Sequence, residues 1–273
     1  MILHRRRFLE MSAAGLWAVP TLLSGSGAAM AQPADGPLPL PPGFPSHDPD
    51  LARDMVGASH GNVARVRELL AISGTLSKAS WEWGFGDWET ALGAASHVGN
   101  REIAALLMEN GARPDIFTLA MLGHLDAVRA AVMASPGVQR IHGPHGLTLL
   151  HHARKGGEEA EGVLAYLEGL GDADQGYLNL PLSEGGAALY AGLYAFGPAP
   201  VDRFDVSTNK DGALGIKRLP AGGFRNLFHQ GNHAFHPPGN PVVRIVFDVA
   251  SGPAERLSIV EGARTITARR VQA

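Results

Sequence analysis

The 273-residue chain contains no cysteine, so neither a disulfide framework nor thiolate chemistry is available to it. Its formal net charge is only −3, which argues against the strongly basic surface of a general nucleic-acid-binding protein. The G-x-S-x-G nucleophile elbow, the phosphate-binding loop and the dinucleotide-binding glycine pattern are also missing. What remains is a chain of ordinary globular composition, 45% hydrophobic and 18% charged, whose 35 glycines and 19 prolines indicate many turns.

Residues 1–31 have the layout of an export signal. Arginines precede a weakly apolar stretch that ends in Ala29-Met30-Ala31, a small-x-small cleavage pattern. The start of this segment resembles the twin-arginine export motif, which implies a periplasmic protein; the matching residues are Arg5, Arg6, Phe8 and Leu9. A Sec signal or a retained anchor is the alternative. The stretch is too short and too glycine-rich to predict a membrane span, so no stable span is expected after cleavage between Ala31 and the proline-rich linker at 32–50.

A repeated pattern covers residues 51–171. The stretch TALGAASHVGNREIAALLMENGA from Thr90 and the stretch GLTLLHHARKGG from Gly146 resemble the ankyrin repeat. Weaker copies align on Gly61-Asn62 and Gly123-His124. The resemblance implies a helical solenoid of about four repeats, in which each unit buries its apolar side only against its neighbours.

The repeat pattern also predicts local details. Each unit should hold two short helices joined by a tight turn, where glycine adopts a left-handed backbone. Thr90 and Thr148 lie at helix starts, where a hydroxyl can cap exposed N–H groups. His151 falls on the ankyrin histidine position, which implies that it supports a turn through hydrogen bonds.

The pattern changes after an acidic linker at 172–186. Residues 187–273 contain short runs separated by turn signals, and Val243, Ile245 and Phe247 alternate with other residues as in a half-buried strand. About seven or eight strands predict a small antiparallel barrel or sandwich. The ordered runs YAGLY, RFDVS, DGALGI and VRIVFD resemble the lipocalin-like β-domain that follows serine β-lactamase-like peptidase domains. The expected fold class is therefore multidomain α + β.

Candidate catalytic and metal-ligating patterns are weak. Ser207 and Lys210 fit S-x-x-K, but they lie at a predicted hairpin turn and lack the S-D-N and K-T-G partners. Three histidines in the stretch 229–236 are spaced so that they can approach one metal ion, yet surface loop histidines are the simpler interpretation. His142 and His145 lie in an inter-repeat loop and are weak candidates. The sequence thus predicts no catalytic residue, no cofactor and no metal site.

The stretch WEWGFGDWET at 81–90 lies where an ankyrin repeat carries its β-hairpin. We expect its aromatic residues to anchor another protein, because tryptophan is enriched in interface hot spots; the candidates are Trp81, Trp83, Phe85 and Trp88. Packing within the protein and binding of a small ligand are the alternatives, and Trp88, next to a helix start, is the one most expected to be packed.

The predicted function is that of an exported, non-enzymatic scaffold that binds another protein and no nucleic acid. The alternative is a carrier or sensor of a small apolar ligand. That alternative requires a cavity in the β-domain lined by residues such as Phe204, Phe228 and Phe247.

Overall fold

Short helices arranged in consecutive pairs form the first part of the structure. The computed structural model describes residues 44–197, 202–220 and 222–272, so the predicted export-signal residues lie outside the described ranges. The helices are α1 (Pro49–Ala58), α2 (Val63–Ile72), α3 (Ala91–Val98), α4 (Arg101–Glu109), α5 (Ile116–Leu122), α6 (Leu125–Ala134), α7 (Leu149–Lys155) and α8 (Glu161–Leu170). Among the helices of these described ranges, none is long and apolar enough to cross a membrane.

The odd-numbered helices form one row, in which α1 contacts α3, α3 contacts α5 and α5 contacts α7. In the other row, α2 contacts α4 and α6 contacts α8. Small buried side chains let these helices approach closely, among them Ala58, Ala95 and Ala153. The apolar core of this part therefore includes contacts between successive helix pairs as well as contacts within each pair.

The ends of the helices follow the local sequence. The hydroxyl of Thr90 accepts the N–H of Gly93 at 2.8 Å, and that of Thr148 accepts the N–H of His151 at 3.1 Å, which confirms both predicted caps. Gly99 and Gly123 adopt the predicted left-handed backbone, with φ of 80° and 83°. The same expectation is wrong for the first pair, because α1 ends at Ser59 in a right-handed conformation.

A β-hairpin separates the first two helix pairs. Strands β1 (Ser80–Glu82) and β2 (Trp88–Thr90) pair antiparallel, and residues 83–87 form the loop between them. This loop reaches the second part of the structure: the N–H of Asn240 donates to the carbonyl of Phe85 at 2.7 Å, and Nε of Arg225 donates to the carbonyl of Trp83 at 3.1 Å.

Antiparallel strands form the second part. They are β3 (Gly192–Ala195), β4 (Arg203–Thr208), β5 (Leu214–Leu219), β6 (Phe224–Asn226), β7 (Phe228–Gly231), β8 (Ala234–His236), β9 (Val243–Asp248), β10 (Arg256–Glu261) and β11 (Arg264–Val271). The order across the sheet is β6-β5-β4-β3-β11-β10-β9-β8-β7. The two edge strands, β6 and β7, are consecutive in the chain, so the sheet curls into a nearly closed barrel. The mixed α + β prediction is confirmed, and the second part is barrel-like.

The alternation predicted for β9 is also confirmed, because Val243, Ile245 and Phe247 are buried. Phe247 packs against Tyr190 and Phe235, with ring centroids 5.0 and 5.5 Å away. Aromatic rings thus occupy this part of the barrel interior.

The other two phenylalanines of the expected cavity lie in different surroundings. Phe228 contacts Tyr177, with ring centroids 5.1 Å apart, and Phe204 stacks against Phe85 of the hairpin loop at 6.3 Å. The structure therefore does not bring Phe204, Phe228 and Phe247 together around one cavity.

The acidic linker at 172–186 is tied to both parts. Asp174 accepts hydrogen bonds from Thr148 at 2.7 Å and Arg154 at 2.8 Å. Further along, the N–H of Leu180 donates to the carbonyl of His229 at 2.9 Å. These contacts place the linker alongside the helices and the sheet, within a single compact unit, Pro42–Ala273.

Candidate metal centre

Side chains from four separate elements converge beside the hairpin. His60 follows α1, Glu89 is the central residue of β2, His97 lies in the last turn of α3 and His145 lies in the loop before α7. One ligand atom from each residue lies within 4.8 Å of the others. Three histidines and one carboxylate are a donor set that transition-metal ions accept.

The carboxylate of Glu89 is the common partner of the three imidazoles. Its Oε1 lies 3.0 Å from Nε2 of His97 and 3.3 Å from Nε2 of His145, and its Oε2 lies 3.5 Å from Nε2 of His60. The alternation of β2 turns Glu89 inward, because its neighbours Trp88 and Thr90 are exposed while Glu89 is only 1% exposed. A charged group is thus held in the interior, where it requires compensation.

Neighbouring groups orient the imidazoles. Nδ1 of His145 lies 2.7 Å from Oδ2 of Asp87, and Nδ1 of His60 lies 3.1 Å from the backbone carbonyl oxygens of Val56 and Gly57. In both rings, an acceptor at Nδ1 holds a proton there and directs Nε2 at the centre, where a metal ion can replace any proton that Nε2 carries. Histidines that bind metals in proteins are held by the same kind of contact.

The second oxygen of Glu89 is held by a tryptophan. The indole Nε1 of Trp83 donates to Oε2 of Glu89 at 2.7 Å. Oε1 of Glu89 and Nε2 of His97 are both buried and, although 3.0 Å apart, lack the alignment that a hydrogen bond requires. Two buried polar atoms therefore face the centre without a hydrogen-bond partner among the described residues, and a metal ion would satisfy both.

The cluster has unusual electrostatics. Burial alone would raise the pKa of Glu89, but its contacts with His145 and His97 outweigh burial and hold that pKa far below its usual range. Burial alone would lower the pKa of His145, but Asp87 and Glu89 raise it to about 9. The imidazole of His145 is therefore in its positively charged, doubly protonated form at neutral pH unless a metal ion displaces the second proton.

Two of the distances match those around a tetrahedral ion. Metal–ligand bonds of about 2.0–2.1 Å to nitrogen and oxygen give ligand–ligand edges of roughly 3.3 Å in a tetrahedron. Oε1 of Glu89 lies 3.0 Å from Nε2 of His97 and 3.3 Å from Nε2 of His145, close to that edge. Nε2 of His60 lies 3.5 Å from the other oxygen, Oε2, and one ligand atom from each of the four residues lies within 4.8 Å of the others.

The three histidines of the stretch 229–236 do not converge on one point. Nδ1 of His233 lies 2.9 Å from the hydroxyl of Tyr190, while Nδ1 of His229 and of His236 lie near different backbone carbonyls. Their roles are local. His151 has its Nε2 3.0 Å from the carbonyl of His97, which agrees with its predicted structural role.

Ser207 and Lys210 lie at the end of β4 and in the turn before β5. The hydroxyl of Ser207 donates to Asp205 at 3.2 Å. This is the hairpin turn that the sequence predicts, and the hydroxyl contacts a carboxylate of its own strand.

The aromatic residues of the hairpin have different environments. Trp81 and Trp83 are half-buried against the helical core, and Phe85 packs against the core of the sheet. Trp88 is 62% exposed, so the expectation that it is the most packed of the set is wrong. Its position on the outward face of β2 explains the exposure, since Glu89 takes the inward position.

His60, Glu89 and His97 are not among the site residues that the sequence patterns predict. A signal was present: Ala58-Ser59-His60 and Ala95-Ser96-His97 both occur just before a turn that contains Gly-Asn. The two tripeptides differ by one residue in their distance from Gly-Asn, but both place a histidine near the C-terminal end of a helix, and these two helices, α1 and α3, are in contact. Nothing local marks Glu89 or pairs it with them.

Comparisons with known proteins give no further assignment. No protein-family model matches the chain, and no curated protein is significantly similar to it. The chemistry of the centre therefore follows from its geometry alone.

Proposed function

We propose that this protein binds one divalent transition-metal ion, with Zn²⁺ the best match, through His60, Glu89, His97 and His145. The observation that carries the proposal is the convergence of three imidazole Nε2 atoms on one buried carboxylate. Imidazole nitrogens favour zinc, copper, iron and nickel, and an all-nitrogen-and-oxygen set needs no cysteine. Four protein donors complete a tetrahedral shell, which is typical of structural zinc sites, so the proposed role is non-enzymatic.

The ion would join elements that are distant in the chain. Its ligands come from the end of α1, from α3, from the hairpin and from the loop before α7. An ion that binds only the folded state adds its binding free energy to the stability of that state. The proposed ion therefore fixes the hairpin, whose loop contacts the sheet, onto the helices.

The finer architecture is part of the same proposal. We assign the helix pairs to ankyrin-type repeats and the sheet to a lipocalin-like accessory domain, exported to the periplasm by residues 1–31. The row of odd-numbered helices, the hairpin between pairs and the threonine caps support the repeat assignment. The twin-arginine resemblance supports the export assignment.

Metal titration of the chelator-treated protein tests the function. We expect one Zn²⁺ per chain by isothermal titration calorimetry and by elemental analysis, with a higher melting temperature in zinc. Glu89→Gln and His97→Ala should each lose at least tenfold in affinity. His229→Ala removes an imidazole that lies in the sheet and is not one of the proposed ligands. It is the matched control and should bind zinc as the wild type does. No stoichiometric zinc in the wild type, or equal binding by all variants, would disprove the centre.

A second candidate function is protein binding, and the exposure of Trp88 favours it. This indole is 62% exposed and lies beside Trp81, Pro49 and Ala52, which together form a shallow apolar surface. The test is capture from periplasmic extract by the wild type and by Trp88→Ser. Val242→Ser removes another exposed apolar side chain, from the sheet, and is the control. A partner retained equally by the wild type and by both variants would move the binding surface elsewhere.

A further inference from the structure

A cavity of about 640 Å³ is lined by residues of the hairpin, by Arg53 of α1 and by residues of the sheet. Its volume falls within the range of small-molecule sites. It is separate from the candidate metal centre, because the Trp83 side chain lies between them: its Nε1 contacts Glu89, while the residue also lines the cavity. A ligand in the cavity would therefore not contact the proposed metal ligands.

Four aromatic residues line the cavity, and we call them the aromatic wall: Trp81, Trp83, Phe85 and Phe204. Phe85 and Phe204 are stacked with ring centroids 6.3 Å apart and an interplanar angle of 28°. Such a wall offers flat apolar surface at little cost in side-chain entropy. It is suited to a flat ring.

The cavity is also lined by positively charged guanidinium groups. Arg53, Arg218 and Arg225 line the cavity, and the one carboxylate among its lining residues, Glu82, accepts the N–H of Gly86 at 2.8 Å. Arg53 also pairs with Asp50, which is outside the lining, at 3.3 Å. Among the lining residues themselves, three guanidinium groups stand against one carboxylate, and this excess of positive charge favours an anion.

Arg225 is the best-placed of these groups. Its Nε donates to the carbonyl of Trp83 at 3.1 Å and its Nη1 to the carbonyl of Phe224 at 3.1 Å, so the guanidinium is held in place over the Trp83 ring. In the part of the chain that the structure describes, Arg225 has no carboxylate at ion-pair distance. Burial lowers its pKa, against the smaller opposing effect of the charges of Asp87, Glu89 and Glu82. A largely buried cation with unused N–H groups is a strong anchor for a carboxylate, which it can bind through two parallel hydrogen bonds.

The backbone of the loop is preorganised. Phe85 has φ of 60°, an unusual conformation for a bulky residue, and lies between two glycines that also have positive φ. The hydrogen bond from Asn240 to the carbonyl of Phe85 holds this conformation. The position of the Phe85 ring on the wall thus depends on contacts with the sheet, which are already made.

We propose that this cavity binds an aromatic carboxylate, with the carboxylate paired to Arg225 and the ring lying against the aromatic wall. This site lies between the hairpin and the sheet, and Ile216 of the sheet core is among its lining residues. It requires an anion, whereas the sequence predicted an apolar ligand. It does not depend on the metal centre.

Calorimetric titration with 2-naphthoate, neutral 2-naphthamide and inorganic phosphate tests the proposal on the full mature chain. We expect 2-naphthoate to bind and each of the other two to bind at least tenfold more weakly. Arg225→Gln should weaken 2-naphthoate at least tenfold, whereas Arg264→Gln, an exposed arginine at the start of β11, should have no effect. Chelator-treated protein should give the same ranking, which separates this result from the outcome for the metal.

The relative affinities of the three ligands for the wild-type protein can overturn the proposal by themselves, even if Arg225→Gln folds poorly. Equal binding of 2-naphthoate and 2-naphthamide would remove the role of charge. Phosphate binding as tight as that of 2-naphthoate would remove the role of the aromatic wall. Absence of any binding, or unchanged affinity in a folded Arg225→Gln variant, would remove the site.

Discussion

Oδ2 of Asp87 lies 2.7 Å from Nδ1 of His145, and Oδ1 of the same carboxylate accepts the backbone N–H of His145 at 2.9 Å. The contact joins the hairpin to the loop before α7, and Asp87 is only 2% exposed. Two roles follow. The carboxylate orients the imidazole toward the centre, and its charge stabilises the imidazolium when no metal is bound.

The stability of the chelator-treated protein should therefore fall at alkaline pH. The pKa of His145 is raised to about 9 from an unfolded value of about 6.5, so its stabilisation is complete below pH 6.5 and is lost as pH rises through 9. We expect the free energy of unfolding in urea to fall by about 3 kcal/mol across this window. In Asp87→Asn, whose His145 should titrate nearer 6.5, the curve should be flatter. Equal slopes in the two proteins would show that Asp87 does not stabilise the imidazolium.

Zinc binding should release about one proton per ion near pH 7.5. His145 carries a proton there in the metal-free state, because its pKa is about 9, and a metal-bound Nε2 cannot keep it. Calorimetric titrations in buffers of different ionisation enthalpy measure the number of protons released. The apparent affinity should weaken as pH falls from 9, by up to about tenfold per unit. Binding without proton release would mean that His145 is not a ligand.

Local patterns were sufficient to predict much of the fold. The alternation of Val243, Ile245 and Phe247 predicted a half-buried strand, and Thr90 and Thr148 predicted helix starts, because each signal lies within a few residues. The closure of the sheet was not predictable in this way. It depends on which strands pair, and short strands such as β6 and β8 carry little alternation of their own.

The candidate metal centre was even less predictable from local sequence patterns than the closure of the sheet. His60, Glu89 and His97 come from different elements, and only the packing of helices and hairpin brings them together. The concentration of aromatic residues in the hairpin predicted a binding role for its tryptophans. Glu89, which lies among them, carries no signal until β2 is known to turn it inward.

Arg270 should be essential to the stability of the barrel. Its Nε donates to the carbonyl of Ala254 at 2.5 Å, its Nη1 to the carbonyl of Ala191 at 2.6 Å and its Nη2 to the hydroxyl of Tyr194 at 2.9 Å. A lysine ammonium cannot donate to all three acceptors in this planar arrangement, so Arg270→Lys should lower the free energy of unfolding by roughly 2–4 kcal/mol. Arg269→Lys, at the adjacent exposed position, is the control. Urea unfolding that gave the same value for both variants would contradict this role.

Gly123 tests the stacking of the helix pairs. It ends α5 with φ of 83°, and a Cβ there would collide with the carbonyl oxygen of Glu159, which lies between α7 and α8. Gly123→Ala should therefore destabilise the protein by roughly 1–3 kcal/mol, since both the left-handed backbone and the close approach exclude a side chain.

Gly57 is the matched control. It lies within α1 with open space around it, so Gly57→Ala should be neutral or stabilising by up to about 1 kcal/mol. Opposite signs for the two alanine variants in urea unfolding would show that adjacent pairs meet at Gly123. A neutral Gly123→Ala would mean that the backbone between α5 and α6 relaxes away from Glu159, and that the contact does not fix the spacing of the row.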